Sequence, residues 1–314
     1  MNKIILTTTM FFLFSFTAFN AAAQEKYTLK NRYPEGTYEI KTETDMDMKI
    51  KTGEQIIPNR QVQTQYQEIV AGPIEPDGSQ RVDTEIKRIA LKQIINGREI
   101  TFDSADEKSK NSPLKLLGFM VGLKVTTTFD QNGKIIKTEG LEEFWEKHAQ
   151  TFPKQVSDML KKQFSDKALT KTFDILRETM PQQPVAVGEQ WKSEGVSEIP
   201  LIGKVKTTQT NTLKEIQSVD GKELAVIVSQ SRIKSDSPQE TDMAAAKMTL
   251  KSTDIDSENN IQMEIKTGLV VSNITQIKMN VEIEVTVNNQ TIQQNLTGEG
   301  KTTMTITRME NIEK

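Results

Sequence analysis

Hydrophobic and polar residues alternate along most of the chain from about Thr37 onward. Residues 281–287 are the clearest example, because valine or isoleucine takes every second position and glutamate or threonine takes the positions between them. A period of two places all the apolar side chains of a strand on one face. The pattern predicts antiparallel strands with one buried face and one solvated face.

Turn dipeptides separate these alternating segments. Asparagine, aspartate and glycine tolerate the positive φ angles that tight hairpin turns require. The pairs are Asp77-Gly78, Asn96-Gly97, Asn132-Gly133 and Asp220-Gly221, with Asn288-Asn289 as a weaker example. They predict short antiparallel connections and a meander-like sheet.

The middle of the chain has helical spacing instead. Leu141, Phe144, Trp145 and His148 recur at i, i+3, i+4 and i+7, which places them on one helical face. Two further apolar stripes follow, formed by Val156, Met159, Leu160 and Phe164, and by Leu169, Phe173, Leu176 and Met180. We therefore predict an N-terminal β half at 24–140, a helical connector at 141–181 and a C-terminal β half at 182–314.

The two β halves resemble each other in pattern. Residues 38–92 have the same strand-turn-strand order as residues 191–234, and residues 128–135 resemble residues 254–261. One interpretation is an internal duplication joined by the helices. The alternative is two unrelated β segments of similar composition, since alternating patterns look alike. The predicted fold class is mainly β (α+β), with curved antiparallel sheets from two similar halves and a central helical insertion.

The first 23 residues have the pattern of a secretory signal peptide. Lys3 precedes an apolar run from Ile4 to Phe19, and three alanines end at Ala23. A basic start, an apolar core and a small-residue cleavage site are typical of such leaders. We expect cleavage after Ala23 and a mature protein that is exported, either periplasmic or secreted.

Composition narrows the partners of the mature chain. The formal net charge is −3 over 314 residues, and charges of both signs are spread along the chain, so we expect no nucleic-acid partner. No second long apolar stretch follows the leader, which predicts no transmembrane segment in the mature chain. The chain has no cysteine, so we also expect no disulfide and no lipid anchor of the lipoprotein type.

Three segments resemble a family of uncharacterised exported bacterial proteins, a domain of unknown function with two β-rich halves. They are Tyr33 to Tyr38, Gly122 to Leu141, and Pro181 to Trp191, in which a proline precedes Val-Gly-Glu-Gln-Trp. The similarity covers nearly the whole mature chain. It implies a β-rich, two-half architecture and no established activity. Many members resemble lipoproteins, whereas this chain lacks the anchoring cysteine.

The sequence offers little chemistry for catalysis. The chain contains one histidine, His148, and no cysteine, so it has no cluster of the ligands that zinc prefers and no cysteine nucleophile. Glycine-rich nucleotide motifs are also missing. We expect no metal, no cofactor and no enzymatic activity, and we interpret His148 as a residue of the helix surface or of an interface.

One apolar segment stands out as a candidate ligand site. Residues 114–123 contain seven large apolar residues in ten positions. With the helix residues that could close it, the candidate apolar pocket comprises Leu116, Leu117, Phe119, Met120, Leu123, Phe144 and Trp145. Curved antiparallel sheets closed by helices make containers for amphiphiles. The alternative is that this segment is the core contact between sheet and helices.

Two functional hypotheses follow from this sequence. The first is a non-catalytic exported protein that binds a lipid-like, hydrophobic or amphiphilic small molecule or an envelope component. The second is a hydrolase that uses carboxylates alone, such as a glycosidase, which needs two facing acids about 5–10 Å apart. A purely structural envelope role remains a third alternative, and it predicts no pocket.

Overall fold

The protein is built almost entirely from long antiparallel strands. The computed structural model describes residues 25–148, 157, 161, 165–166, 180–199, 203–235, 238–243, 246–287 and 290–309. The strands are β1 (Lys26–Tyr27), β2 (Gly36–Thr52), β3 (Gln55–Ile74), β4 (Gln80–Ile95), β5 (Arg98–Asp103), β6 (Lys124–Phe129), β7 (Ile135–Glu139), β8 (Val185–Ala186), β9 (Gln190–Ile199), β10 (Gly203–Val219), β11 (Lys222–Lys234), β12 (Gln239–Met243), β13 (Ala246–Glu264), β14 (Val270–Val287) and β15 (Gln290–Arg308). The predicted mainly β, antiparallel fold is confirmed.

Thirteen of these strands form one sheet. Its order is β7-β6-β4-β3-β2-β15-β14-β13-β11-β10-β9, with β5 paired to β4 and β12 paired to β13. Neighbours in sequence are mostly neighbours in the sheet, as the turn pairs predicted. At the centre, however, the first long strand pairs with the last, with Tyr38 opposite Arg308 and Thr52 opposite Gln294. The two β halves therefore share one continuous sheet.

Of the four predicted turn pairs that the structure describes, Asn96-Gly97 and Asp220-Gly221 have positive φ at both residues, whereas in Asp77-Gly78 and Asn132-Gly133 only the glycine does. Asn96 and Gly97 have φ angles of 49° and 79°, and Asp220 and Gly221 have 49° and 74°. Two successive positive φ angles are typical of the type I′ hairpin turn. Residues 288–289 lie outside the described part of the chain.

One predicted equivalence between the halves is wrong. Residues 128–135 form the end of β6, a turn at Gly133 and the start of β7, whereas residues 254–261 lie within the uninterrupted strand β13. Residues 254–261 have no positive φ angle, so strand β13 continues through them without a turn. The duplication itself and the boundaries of the two halves stay predictions.

Most long strands present one mainly uncharged face and one charged face, and Arg308, which lies opposite Tyr38 at the end of β15, is an exception. Successive residues of a strand point to opposite sides, and residues opposite each other in neighbouring strands share a side. We call the side that carries Tyr38, Ile40 and Met46 the inner face. In β2 the inner positions from Tyr38 to Thr52 are tyrosine, isoleucine, threonine and methionine, while the outer positions are all lysine, aspartate or glutamate.

The core lies against the inner face in three clusters. The first surrounds Tyr38, which is fully buried, near the centre of the sheet. The second lies under β10, β11 and β13 around Leu213 and Met263. The third joins the sheet to helix α1 (Leu141–Lys147).

Helix α1 lies where the spacing of Leu141, Phe144 and Trp145 predicts a helix. It begins after Gly140 and buries Leu141, Phe144 and Trp145, as their spacing predicts. The apolar stripes that follow lie outside the described residues, apart from Met180, which is partly buried against the second cluster. Two short 3₁₀ helices, Glu107–Asn111 and Lys115–Met120, precede β6.

Candidate functional site

A cavity of about 900 Å³ lies on the inner face of the N-terminal half. Strands β2, β3, β4, β6, β7 and β15 form its wall, and two irregular segments, residues 28–33 and 180–184, complete the lining. The wall residues are Ile40, Gln67, Ile69, Val82, Thr84, Ile86, Leu123, Val125, Thr127, Phe129, Ile135 and Met304. Most of them are aliphatic or aromatic, and none is charged.

The register of the sheet brings the wall residues together. Thr84 lies opposite Val125, and Val82 lies opposite Thr127. A bulge in β4 lets Ile86 pair with Gln67, which keeps the inner positions of β3 and β4 aligned. The backbone amide of Ile86 then donates to the carbonyl of Leu123 at 3.1 Å. Residues from four distant parts of the sequence thus form one apolar surface.

The first crossing segment, residues 28–34, is held by hydrogen bonds at its C-terminal end. The amide of Arg32 donates to the carbonyl of Gly268 at 3.1 Å, in the turn between β13 and β14. The Gln80 side-chain amide donates to the carbonyl of Tyr33 at 2.5 Å, and the hydroxyl of the buried Tyr38 donates to the carbonyl of Pro34 at 2.6 Å. These bonds hold the segment across the inner face.

Tyr33 is the titratable group of this segment that burial affects most. Desolvation raises the pKa of the Tyr33 hydroxyl to about 12, with a smaller contribution from Tyr38. Its ring contacts the Tyr38 ring edge-on, with centroids 6.1 Å apart. The cavity side of Tyr33 therefore remains uncharged at neutral pH.

The second crossing segment, residues 180–184, leads into a small separate sheet. There Lys26 and Tyr27 of β1 pair with Ala186 and Val185 of β8. The Glu189 carboxylate accepts a hydrogen bond from the Ala186 amide at 3.0 Å and lies 3.2 Å from the Lys26 ammonium. The amide bond, and then Lys26, lower the pKa of Glu189. This sheet fastens the two crossing segments to each other.

Polar groups collect at one end of the cavity. The crossing residues Lys30 and Asn31 meet the β6–β7 turn there, which adds Asp130, Asn132 and Lys134 to the lining. The Asp130 carboxylate accepts hydrogen bonds from the backbone amides of Asn132 and Lys134, both at 2.8 Å. The cavity is thus amphipathic, with an apolar wall and a polar end.

The structure places the sequence-predicted pocket residues mainly in the third core cluster. Leu123, Phe144 and Trp145 are buried there, and Phe119 and Met120 pack against them. The Phe119 ring lies 4.8 Å from that of Phe144 and 5.6 Å from that of Trp145.

Of the predicted set, Leu123 also lines the cavity. Leu117 is half-buried, and the Leu116 side chain lies outside the described part of the structure. The described part of the 114–123 segment thus packs mainly between the sheet and helix α1, and Leu123 at its end also lines the cavity.

Sequence reasoning missed most of the lining. The alternating inner positions of β4 and β6 were visible in the sequence, but nothing local distinguishes them from any other inner positions. Residues 28–33 carry no periodic pattern, and their place across the sheet depends on Gly268, which is more than 230 residues away. A contact of that range leaves no mark in a single sequence.

The ring contacts of His148 agree with its interpretation as a residue of an interface. The His148 ring lies 4.6 Å from the Phe119 ring and 4.7 Å from the Phe144 ring, at the end of α1. Among the residues that the structure describes, no group of three or more metal-ligating side chains comes together. No helix in the described ranges is long and apolar enough to cross a membrane.

Several solved structures align with this chain at low scores. Lipovitellin, from a study of its lipid–protein interactions, aligns over 90% of this chain with 9% identity and a TM-score of 0.44, and the chain covers 26% of lipovitellin. An outer membrane channel from Pseudomonas putida F1 aligns over 88% of this chain and 97% of its own, with 5% identity and a TM-score of 0.23.

A DUF1329 family protein from Desulfovibrio piger aligns over 87% of both chains, with 6% identity and a TM-score of 0.15. At these scores the similarities carry no functional argument. No curated protein matches the sequence.

A family assignment comes from the sequence itself. Residues 77–270 match a family described as a family of unknown function, DUF6263. The match covers more than half of the chain, from the turn before β4 to the start of β14, and it confirms the predicted resemblance to a domain of unknown function. This protein is therefore a member of the DUF6263 family.

Proposed function

We propose that this protein is a non-catalytic binder that holds the apolar part of an amphiphile in the inner-face cavity. The observation that carries the proposal is the cavity of about 900 Å³ with an uncharged wall and a polar end. Small-molecule sites range from about 300 to 1,000 Å³ and are lined mainly by apolar side chains with a few polar groups. The cavity meets both conditions.

The absence of charge from the wall supports this ligand class. The outer face of the same strands carries ion pairs, such as Arg60 with Asp45 at 2.8 Å and Lys87 with Glu68 at 3.0 Å. Charges are costly wherever water is excluded, so a face that must hold an apolar ligand keeps them away. The division of charge between the two faces fits a ligand on the inner side.

The arrangement of acids favours binding over hydrolysis. A glycosidase needs two carboxyl groups facing the substrate. Asp130 is the one carboxylate among the described residues that line the cavity, and it is bonded to the backbone of its own turn. The purely structural alternative predicts no pocket and so does not account for the cavity.

We also propose that the protein works outside the cytoplasm. The support is the leader pattern of residues 1–23, which lie outside the described part of the structure. An exported carrier of this kind would meet envelope amphiphiles at its site of action.

The test is a pair of tryptophan substitutions on strand β6. Val125→Trp adds a large ring to the cavity wall, whereas Thr128→Trp places the same ring on the outer face of the same strand. Binding of a neutral apolar dye, N-phenyl-1-naphthylamine, and native mass spectra of protein purified without detergent are measured for both. We expect the first variant to lose the dye and any co-purified amphiphile, and the second to keep them.

Two results would contradict the proposal. One is a wild-type protein that binds no dye and carries no small molecule. The other is equal binding by both variants, which would place the ligand elsewhere. Far-UV circular dichroism of each variant shows whether the sheet is intact.

A further inference from the structure

We propose that the ligand ends in an anionic group, which the polar end of the cavity binds through Lys30 and Lys134. This inference rests on the proposed function, because it assigns the head group of the same amphiphile. It starts from the position of the charges. Among the described residues, the lining contains three charged ones, Lys30, Lys134 and Asp130, and they belong to the first crossing segment and to the β6–β7 turn that this segment touches.

The two lysines come from different parts of the fold, and both line the cavity. Lys30 belongs to the first crossing segment, and Lys134 lies in the β6–β7 turn, directly before β7. The segment and the turn touch, since a Cβ atom at Gly133 would lie 3.1 Å from the carbonyl oxygen of Asn31. The Arg32 guanidinium also donates to the carbonyl of Gln131 in this turn.

The local charge balance favours an anion. Asp130 is the one acid of the lining, and its carboxylate already accepts two backbone amides. Within the described part of the chain, neither lysine has a carboxylate at ion-pair distance. Two ammonium groups beside an apolar wall suit a carboxylate or a phosphate, because charge-assisted hydrogen bonds are the stronger kind.

Three twelve-carbon probes that differ in head-group charge test this inference. They are dodecanoate, dodecan-1-ol and dodecyltrimethylammonium, titrated into the full-length protein near pH 7.5 by displacement of N-phenyl-1-naphthylamine. We expect dodecanoate to bind about tenfold more tightly than the alcohol, which corresponds to about one charge-assisted hydrogen bond. The cationic probe should bind most weakly. A fourth probe, lysophosphatidylglycerol with a twelve-carbon chain, shows whether the site binds a phosphate head group better than the carboxylate of dodecanoate.

Charge-matched variants assign the effect to the two lysines. In the Lys30→Gln/Lys134→Gln variant, the affinity for dodecanoate should fall to within about threefold of the affinity for dodecan-1-ol. The affinity for dodecan-1-ol itself should not change. Lys92→Gln/Lys137→Gln is the control, because it removes the same charge from exposed positions outside the cavity lining that pair with Glu99 and Glu139 instead. This control should keep the tenfold preference.

The outcomes separate the two proposals. If the wild type binds the alcohol and the acid equally well, the head-group inference is wrong and the proposed function stands. An acid preference that survives in the Lys30/Lys134 variant also overturns the inference. If the protein binds none of the four probes, the proposed function fails along with it.

Discussion

The backbone carbonyl of Gly268 accepts a hydrogen bond from the backbone amide of Arg32 at 3.1 Å. Gly268 lies in the turn between β13 and β14, and Arg32 lies in the segment that crosses the inner face. The bond therefore joins the C-terminal half of the sheet to the segment that closes the cavity in the N-terminal half. The approach is close, because a Cβ at Gly268 would overlap the carbonyl oxygen of Lys30.

Replacing Gly268 should loosen the crossing segment. Gly268 has a φ of 79°, which strains any residue with a side chain. Gly268→Ala therefore introduces backbone strain and also a collision between the new Cβ and the carbonyl oxygen of Lys30. We expect the free energy of unfolding in urea to fall by about 2–4 kcal/mol, from left-handed strain of roughly 1–2 kcal/mol plus the displaced contact. Hydrogen exchange of the amides of residues 28–34 should become faster.

Gly221→Ala is the matched control for that change. Gly221 has a φ of 74° in the β10–β11 turn, but no atom lies within 4 Å of its would-be Cβ. It should lose only the left-handed strain, about 1–2 kcal/mol. Equal losses in the two variants would mean that the contact with Lys30 contributes nothing.

Asn211 carries a buried amide nitrogen that finds no partner among the residues the structure describes. The residue is 1% exposed, its Oδ1 accepts from Gln209 Nε2 at 2.8 Å, and its Nδ2 has no hydrogen-bond acceptor in that part of the chain. Gln209 Nε2 also reaches the hydroxyl of Ser229 at 2.6 Å. Asn211→Leu should therefore leave the free energy of unfolding unchanged or raise it by up to about 1 kcal/mol, since it removes an unpaired polar group.

Asn59→Leu provides the contrast in the other half. Asn59 is also buried, but its Oδ1 is the acceptor for Gln93 Nε2 at 3.2 Å. Loss of this hydrogen bond in Asn59→Leu should lower the free energy of unfolding by about 1 kcal/mol in the same urea titration. A large loss for Asn211→Leu would show that its amide has a partner in solution.

Tyr33 should make the protein sensitive to alkali. Burial raises the pKa of Tyr33 from 10.0 to about 12, so the folded state keeps the phenol protonated where the unfolded state ionises it. The stability from this difference is fully present below pH 10 and is lost as the pH rises from about 10 to 12. Tyr33→Phe should flatten that part of the stability curve and remove the step near pH 12 from the ultraviolet titration at alkaline pH. An unchanged titration would refute the assignment.

The Arg88–Asp103 pair should contribute to acid sensitivity. Arg88 Nε and its terminal nitrogen donate to the two carboxylate oxygens of Asp103, at 3.0 and 2.5 Å, and this hydrogen bonding lowers the pKa of Asp103. The stabilisation is therefore present above the ordinary pKa of aspartate, near 4, and is lost as the pH falls through the lowered value. Because the pair is largely exposed, Asp103→Asn should cost at most about 1 kcal/mol at pH 7.

The pH dependence of that variant is the informative measurement. The difference in unfolding free energy between Asp103→Asn and the wild type should shrink as the pH falls below about 4. Asp47→Asn, on the exposed outer face of β2, should show a smaller difference at every pH. A difference for Asp103→Asn that persists at pH 2 would point to packing rather than charge.

Local features of the fold were predictable because they depend on neighbours in sequence. The alternation at 281–287 determines which side chains of β14 face inward, and Asn96-Gly97 determines a tight turn wherever its strands pair. The spacing of Leu141, Phe144 and Trp145 likewise predicted their burial in α1. At residues 254–261 the same reasoning failed, since a polar strand and a polar turn have similar compositions.

The sequence by itself determined that the chain forms strands with one uncharged face, because strand periodicity is a property of adjacent residues. The tertiary structure alone decided that β2 pairs with β15, that residues 28–34 cross the inner face to reach Gly268, and that Asn31 meets the β6–β7 turn at Gly133. Those contacts join residues roughly 100 to 270 positions apart. Their energies depend on the formation of the whole sheet, so no single segment of the sequence predicts these contacts.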